Sequence, residues 1–323
     1  MGLFVIKNQC YTEIHMKILI AGGAGFIASH IADEYVKAGH NVVIIDDLSK
    51  GFRKNINKKA KFYKADIRDT KAMMKIFQKE KPTVVNHHAA DASVVGSMND
   101  PLKTYNVNVL GTINVLLAFG SYKTKEKKRF IFASTGGAIY REPGEKHLPV
   151  DETMEKAPVS PYGLSKQLGE DVIHFYAKQF GFETVIFRYA NVFGPRQNPK
   201  GEAGVCAIFT RLIKEGGQPV IFGDGTKSRD YVFVGDVAKA NFLALNCGAG
   251  ETMNIGTGKL TSDDEMFETI AAAMKFKGKA VHAPARPGEI YKMSLKYGRA
   301  KKALGWEPKV NFKEGIKKIV ETL

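Results

Sequence analysis

The chain has 323 residues, 44% of them hydrophobic, which is enough for a substantial core shared between one large and one smaller α/β unit. It holds no apolar run long enough to span a bilayer and no secretory leader pattern, so the expectation is a cytoplasmic protein with no membrane partner. The net charge of +15 is scattered over many helices and turns, with small concentrations only at 58–64 and 123–129; it reads as solvated faces, and no nucleic-acid partner is expected.

Residues 1–15 fit poorly with the strand that begins after Met16 and read as an N-terminal extension. Residues 17–21 are a short apolar run of strand type. Gly22, Gly23 and Gly25 come next, and residues 26–38 carry apolar side chains at helical spacing. Strand, glycine turn and helix in that order open a dinucleotide-binding unit. Gly22 supplies backbone angles that a side chain forbids, Gly25 lets a pyrophosphate approach the main chain, and the helix that begins at Phe26 and Ile27 points unpaired N–H groups at the anion. Ala28 stands where a third glycine is usual, a place where a methyl is commonly accepted.

The second strand, 41–45, ends in Asp46 and Asp47. A carboxylate at this strand tip, 24 residues past Gly22, can accept hydrogen bonds from ribose hydroxyls and would repel a 2′-phosphate, so the expected cofactor is NAD rather than NADP. Residues 61–65 form a third strand. Asp66 and Ile67 after it suit an adenine, one by hydrogen bonding its amino group and the other by packing on its face. A fourth strand, 83–86, leads through His87 and His88, read as packing and hydrogen-bonding groups, to Ala89 and Ala90, small enough for a cofactor to cross the strand ends. A long helix over 101–122 carries Asn106 and Asn108, residues of poor helical preference whose presence suggests a tertiary hydrogen bond.

The fifth strand, 129–133, ends in Ser134 and Thr135. A helix over 161–180 presents Tyr162 and Lys166, four apart and on one face, and the sixth strand is 184–188. The alternation gives an α/β fold with a doubly wound parallel sheet (Rossmann), its ligand at the carboxyl ends of the strands. Past Gly194 the texture changes to Pro, Gly and polar residues. The expected division is therefore a dinucleotide-binding domain over 16–193, with 231–255 returning to it, and a smaller C-terminal α+β domain from 194–230 and 256–323. Cys10, Cys206 and Cys247 lie far apart and no Cys/His cluster has metal-ligand spacing, so no metal is expected.

Tyr162 and Lys166 are the sharpest candidates for chemistry. A phenol titrates near 10, and to act as a general base near neutral pH it needs a cation nearby; Lys166 can supply one and also hold the nicotinamide ribose. A hydroxyl from Thr135 or Ser134 could bind the same substrate oxygen.

GGAGFIA at the glycine loop, the turn at 46–49 that includes Leu48 and Ser49, ADIRD at 65–69, the Tyr162/Lys166 pair, RYANVFGPRQ at 188–197, FGDGTKSRDYVFVGDVA at 222–238, NIGTG at 254–258, RPGE at 286–289 and LGWEP at 304–308 come in this order. Together they resemble the extended short-chain dehydrogenase/reductase family, and within it the NAD-dependent nucleotide-sugar epimerase/dehydratase branch, most of all the UDP-glucose 4-epimerases. The resemblance implies a tightly held NAD and a UDP-sugar substrate oxidised transiently at C4, with Tyr162 removing the 4-hydroxyl proton, and a homodimer formed through helices that include 161–180. It implies Asn108 and Tyr189 near the cofactor, Asn191 and Tyr231 near the sugar or its phosphate, Arg229 and Arg286 on the pyrophosphate, and Glu289 on a uridine ribose hydroxyl. It also puts Met293 where this branch tunes pocket size, so that an N-acetyl group at C2 should be crowded.

Asp91, Arg141 and Glu289 depart from the usual pattern, and counting back from Tyr140 places the family hydroxyl on Gly136; Thr135 is the expected substitute, Ser134 the second. The alternatives are a UDP-uronate 4-epimerase, because Arg141 offers a cation to a C6 carboxylate, a 4,6-dehydratase, and a catalytically silent NAD-sensing protein.

Overall fold

A computed structural model describes residues 15–199, 204–285 and 290–323. The large layer contains β1 (Lys17–Ala21), α1 (Phe26–Lys37), β2 (Asn41–Asp46), β3 (Lys61–Lys64), α2 (Thr70–Glu80), β4 (Val84–His87), α3 (Val94–Asn99), α4 (Pro101–Tyr105), α5 (Gly111–Gly120), β5 (Arg129–Thr135), α6 (Pro161–Phe180) and β6 (Glu183–Tyr189). It is followed by β7 (Asn191–Phe193), α7 (Val205–Lys214), β8 (Val220–Phe222), β9 (Ser228–Arg229), β10 (Tyr231–Phe233), α8 (Val234–Leu243), β11 (Thr252–Ile255), β12 (Thr261–Ser262), α9 (Asp263–Ala273), β13 (Val281–Ala283), β14 (Lys292–Met293), α10 (Gly298–Leu304) and α11 (Phe312–Val320).

Seven strands form one parallel sheet in the order β3-β2-β1-β4-β5-β6-β11. The strands are near-continuous apolar runs because both faces are covered. Ile18, Ile20, Val42 and Ile44 pack with Ile31 and Tyr35 of α1 and Val237 of α8. Their neighbours Leu19, Val43 and Ile45 point the other way, into a cluster with Phe77, Phe119, Phe130, Phe132 and Ile173. The chain winds outward in one direction from β1 and in the other from β4, so the crevice between their carboxyl ends is where a ligand can enter.

The smaller lobe has its own core around Phe193, Phe209, Tyr231, Phe233, Met266 and Ile316. Of the segment 231–255, β11 is an edge strand of the large sheet beside β6, whereas β10 pairs with β7 in a separate two-stranded sheet. The helix expected over 101–122 is not regular: α4 and α5 are joined by a π-helical turn, Asn106–Leu110. The wide turn brings Asn108 inward, where its amide donates to the Asp91 carbonyl at 3.0 Å and to Ser165 Oγ at 2.8 Å, and its Oδ1 accepts from the Asp91 amide at 2.7 Å.

Candidate active site

The crevice runs along the carboxyl ends of β2, β1, β4 and β5. At its floor Gly22 has φ of 82°, and a Cβ there would lie 2.6 Å from the Ala89 amide nitrogen, so only glycine permits the strand ends to approach this closely. A Cβ on Gly25 would meet the Gly22 carbonyl at 3.1 Å. Gly25 caps α1 with extended backbone angles and no side-chain hydrogen bond, which leaves the first N–H groups of the helix facing the crevice.

One end of the crevice is walled by Gly22, Asp46, Asp47, Ser49, Asp66, Ile67, Ala89 and Ala90. Asp46 is anchored by the main chain: Ala24 N donates to one carboxylate oxygen at 3.0 Å and Leu48 N to the other at 2.8 Å. Burial raises its pKa, and these two bonds work against the rise. A carboxylate has about four acceptor positions, so Asp46 keeps capacity for ribose hydroxyls. Leu48 turns the chain with a φ of 63°. Asp47 accepts from the amide and hydroxyl of Ser49 at 2.8 and 2.6 Å. Arg68 forks onto Asp66 with Nη2 at 2.5 Å, which holds that carboxyl below the usual range.

The other end is walled by Phe26, Ile27, His88, Ser134, Tyr162, Lys166 and Tyr189, joined by Lys50, Arg196 and Gln197. Tyr162 enters at the first turn of α6, which is set by Ser160: its hydroxyl accepts from Gly163 N at 3.1 Å, and Pro161 is the first helical residue. The Thr135 side chain acts on the Tyr162 phenol, drawing its pKa down against burial. Lys166 Nζ donates to the Ala133 carbonyl at 2.8 Å and lies 6.0 Å from the Tyr162 ring centre.

Burial pushes the Tyr162 phenol up to about 12, with the Thr135 side chain pulling it back, and brings Lys166 down to about 8, opposed by the Glu170 charge. In the protein itself desolvation is the largest effect on the phenol.

Of the two candidate hydroxyls, Thr135 meets Tyr162. Ser134, next along the strand, donates instead to Glu170 Oε1 at 2.7 Å. A Cβ on Gly137 would be 3.4 Å from Asn191 Oδ1 and 4.0 Å from Thr135 Oγ1, so Asn191 stands on the same small space as Thr135. Tyr189 accepts from Asn241 Nδ2 at 2.8 Å and stacks on His88. The imidazole of His88 is held near this phenol at 3.2 Å, and His87 pairs with Thr112 Oγ1 at 2.9 Å; burial drives both histidines down to about 3, so both are neutral packing groups.

Two expected site residues are committed to other partners within the protein. Asn108 does not line the crevice, since its carboxamide is committed to Asp91 and Ser165; it shapes the wall by holding Asp91. Tyr231 is buried against Phe193 and Phe312 in the core of the smaller lobe, where its apolar ring satisfies packing and not a ligand. The Arg229 guanidinium donates to the Ser228 and Tyr291 carbonyls at 3.0 and 2.9 Å and to Ile290 O. Arg286 and Glu289 lie outside the described residues. Lys50, Arg196 and Gln197 are wall residues that the motifs alone do not single out; Arg196 has φ of 69° and pairs with Asp33 of α1 at 2.7 Å. Their signal is position alone, one beside the carboxylate turn and two inside the RYANVFGPRQ run.

A parallel dinucleotide sheet with a tyrosine, a lysine and a threonine at its mouth defines a class, and residues 18–256 match the NAD dependent epimerase/dehydratase family. The chain belongs to that family. It is 47% identical over 303 residues to a putative UDP-glucose 4-epimerase of Methanocaldococcus jannaschii, covering 94% of this chain and 97% of that relative. Its structure is similar to that of UDP-glucose 4-epimerase from Thermotoga maritima, solved with UDP-glucose, at 43% identity and a TM-score of 0.91 over 95% of this chain and 98% of the other. It is similar also to the Thermus thermophilus UDP-glucose 4-epimerase in complex with NAD, at 40% identity and a TM-score of 0.88 over 95% and 98% of the two chains.

Proposed function

We propose that the chain is an NAD-dependent UDP-hexose 4-epimerase that interconverts UDP-glucose and UDP-galactose. The observation that carries this reading is the Tyr162 phenol, with the Lys166 ammonium 6.0 Å from its ring and Thr135 acting on it, in the same crevice as the glycine loop that would present a dinucleotide.

Gly22, Gly25 and the start of α1 at Phe26 and Ile27 suit the pyrophosphate. Asp46 and the turn through Asp47, Leu48 and Ser49 suit the adenosine ribose, Asp66 and Ile67 the adenine, and Ala89, Ala90, Ser134, Lys166 and Tyr189 the nicotinamide half. When bound, NAD supplies a reversible hydride acceptor at the sugar carbon and a positively charged ring beside the phenol. The chain's own work is proton handling and orientation. Tyr162 takes the proton of the sugar 4-hydroxyl and later gives one back, Thr135 holds the same oxygen, and the Lys166 ammonium favours the phenolate against the cost of burial. Asn191 and Arg229, with Arg286 and Glu289, would hold the sugar and diphosphate firmly enough at the nucleotide for the hexose to present either face.

A UDP-uronate epimerase is less well supported, because Arg141 is paired with exposed Glu155 at 2.7 Å instead of offering a free cation. A 4,6-dehydratase lacks its acid and base: Gly136 and Gly137 come directly after the strand hydroxyl, and a Cβ on Gly136 would meet Leu295 Cδ1 at 2.3 Å. A silent sensor has no use for a phenol set beside a lysine with a hydroxyl acting on it.

The same reading includes a homodimer. Val95, Met98, Leu102, Leu110, Val159 and Phe175, all more than half exposed, form an apolar surface on α3 to α6 and their flanks. No described helix is long and apolar enough to cross a membrane.

The deciding experiment incubates the purified protein with a panel of UDP- and dTDP-sugars, without added cofactor, and separates the products. Conversion of UDP-galactose to UDP-glucose is the expected result; a panel in which only a uronate or a dTDP-sugar reacts would overturn the assignment.

A further inference from the structure

Behind the Tyr162–Lys166 pair lies a buried ionic cluster with no role in the epimerase reading so far. Glu170, one turn beyond Lys166 on α6, is 2% exposed. Its Oε1 accepts from Ser134 Oγ at 2.7 Å and Arg188 Nε at 2.9 Å, and its Oε2 accepts from Arg188 Nη2 at 2.6 Å. Arg188 Nη1 donates to the Tyr140 hydroxyl at 2.9 Å, and that hydroxyl donates to Asn254 Oδ1 at 2.7 Å. Lys156 Nζ stands 3.7 Å from Glu170. The cluster thus ties together β5, α6, β6 and β11 at the end of the sheet where the crevice opens.

An ion pair this deeply buried is a poor device for stability, since two desolvated charges cost nearly what their attraction returns. What it does well is hold its partners in one geometry. We propose that Glu170, clamped by Arg188, is a positioning residue for the reaction: through Ser134 it holds the end of β5 that carries Thr135, and through its carboxylate charge it keeps Lys166 an ammonium beside Tyr162. The proposal rests on the epimerase reading and deepens it.

Lys166 has two neutral supports for its charge: the Ala133 carbonyl accepts from Nζ at 2.8 Å, and Phe132 presents its ring 5.0 Å away. His87, the last residue of β4, and His88 after it face the lysine as neutral rings, and Tyr162 shares its helix as a neutral phenol. Burial works to discharge the lysine, and Glu170, one helical turn on, is the anion that opposes it. Loss of the Glu170 carboxylate should therefore make the Lys166 proton easier to remove.

The test measures kcat and KM for UDP-galactose against pH, with bound NAD quantified, in the wild type, Glu170→Gln, Glu170→Asp, Ser134→Ala and Tyr162→Phe. In wild type, kcat should fall as Lys166 deprotonates. Glu170→Gln should move that limb down by about one pH unit, so that kcat at pH 8 drops about fivefold and recovers on acidification, with KM changed less than about twofold. Glu170→Asp, which keeps the charge, should lower kcat while leaving the limb in place, and Ser134→Ala should lower kcat evenly across pH. A Glu170→Gln enzyme with NAD bound and an unmoved limb would overturn the proposal. Should that variant not fold, Glu170→Gln/Arg188→Gln removes both buried charges and should still lower kcat with NAD bound; a wild-type kcat there, or a second failure to fold, makes the cluster structural and ends the idea. Tyr162→Phe separates the two readings: if it retains its rate, the epimerase mechanism fails, whereas an inactive Tyr162→Phe beside an unmoved Glu170→Gln limb sinks only the role of Glu170.

Discussion

Gly163 gives the most searching test of the site, because helix propensity and tertiary geometry predict opposite signs for its replacement. It lies in the first turn of α6, next to Tyr162, where Gly→Ala ordinarily stabilises a helix by about 1 kcal/mol. In this structure, however, a Cβ would fall 2.1 Å from the Ala138 carbonyl oxygen and 2.9 Å from Pro158 Cβ. Ordinary contact begins near 3.4 Å, so α6 and the loop after β5 must separate by about 1.3 Å, against backbone that does not rotate away. Overpacking of this kind costs ~1–3 kcal/mol, which offsets the propensity gain and leaves the protein folded but less stable. The larger effect is on chemistry. Tyr162 moves with its helix relative to Thr135, and a displacement of about 1 Å at a reacting group can cost ~100-fold in rate. Gly163→Ala should therefore keep bound NAD, melt at a lower temperature and lose about two orders of magnitude in kcat for UDP-galactose, measured in a coupled assay beside thermal denaturation. A variant with wild-type rate, or one more stable than the parent, would refute the close approach of α6 to β5 on which the site is built.

Raising the pH should lower kcat through about 8, where Lys166 loses its proton, and a pH–rate profile of the wild type checks this. The sign for stability is opposite. The folded pKa lies below the unfolded value of 10.5, so the unfolded chain binds more protons between about 8 and 10.5, and the contribution of this group to stability rises over that window, measurable by denaturant titration. Met293, buried on β14, should exclude an N-acetyl group, so turnover of UDP-N-acetylglucosamine should be weak; rates comparable with UDP-glucose would defeat this reading. Phe175→Glu on the exposed face of α6 should convert a dimer to a monomer in sedimentation or light scattering, and a dimer unaffected by the charge would place the interface elsewhere.

How much is legible in the chain differs from residue to residue, for physical reasons. The glycine loop, the carboxylate turn and the strand–helix alternation are local: φ of 82° at Gly22 and the apolar runs of a sheet covered on both faces are written in neighbouring letters. The pairing of Tyr162 with Lys166 is local too, since helical period alone puts them on one face. Which hydroxyl they meet is not local. Thr135 and Ser134 are adjacent and chemically alike, and only the pleat of β5 together with the position of α6 sends the first to Tyr162 and the second to Glu170. The fate of Asn108 is half legible: an asparagine within a helix signals a tertiary bond, but its partners, Asp91 and Ser165, are 17 and 57 residues away in sequence. Tyr231 misleads because the motif around it resembles a binding segment, while pairing of β10 with β7 turns its ring into the core.

The protonation of the site belongs wholly to the folded state. From sequence, a lysine one turn from a tyrosine is expected to make that tyrosine a base. In the folded protein both are buried, desolvation penalises each charged form, and the groups that work against it are Thr135 at the phenol and Glu170 at the lysine, brought there by β5 and α6. Local sequence determines backbone preference and periodicity, hence the strands, the glycine loop and the helix that carries the pair. Distance between elements and removal of water exist only once those elements pack, and they decide which oxygen, which carboxylate and which proton the chemistry can use.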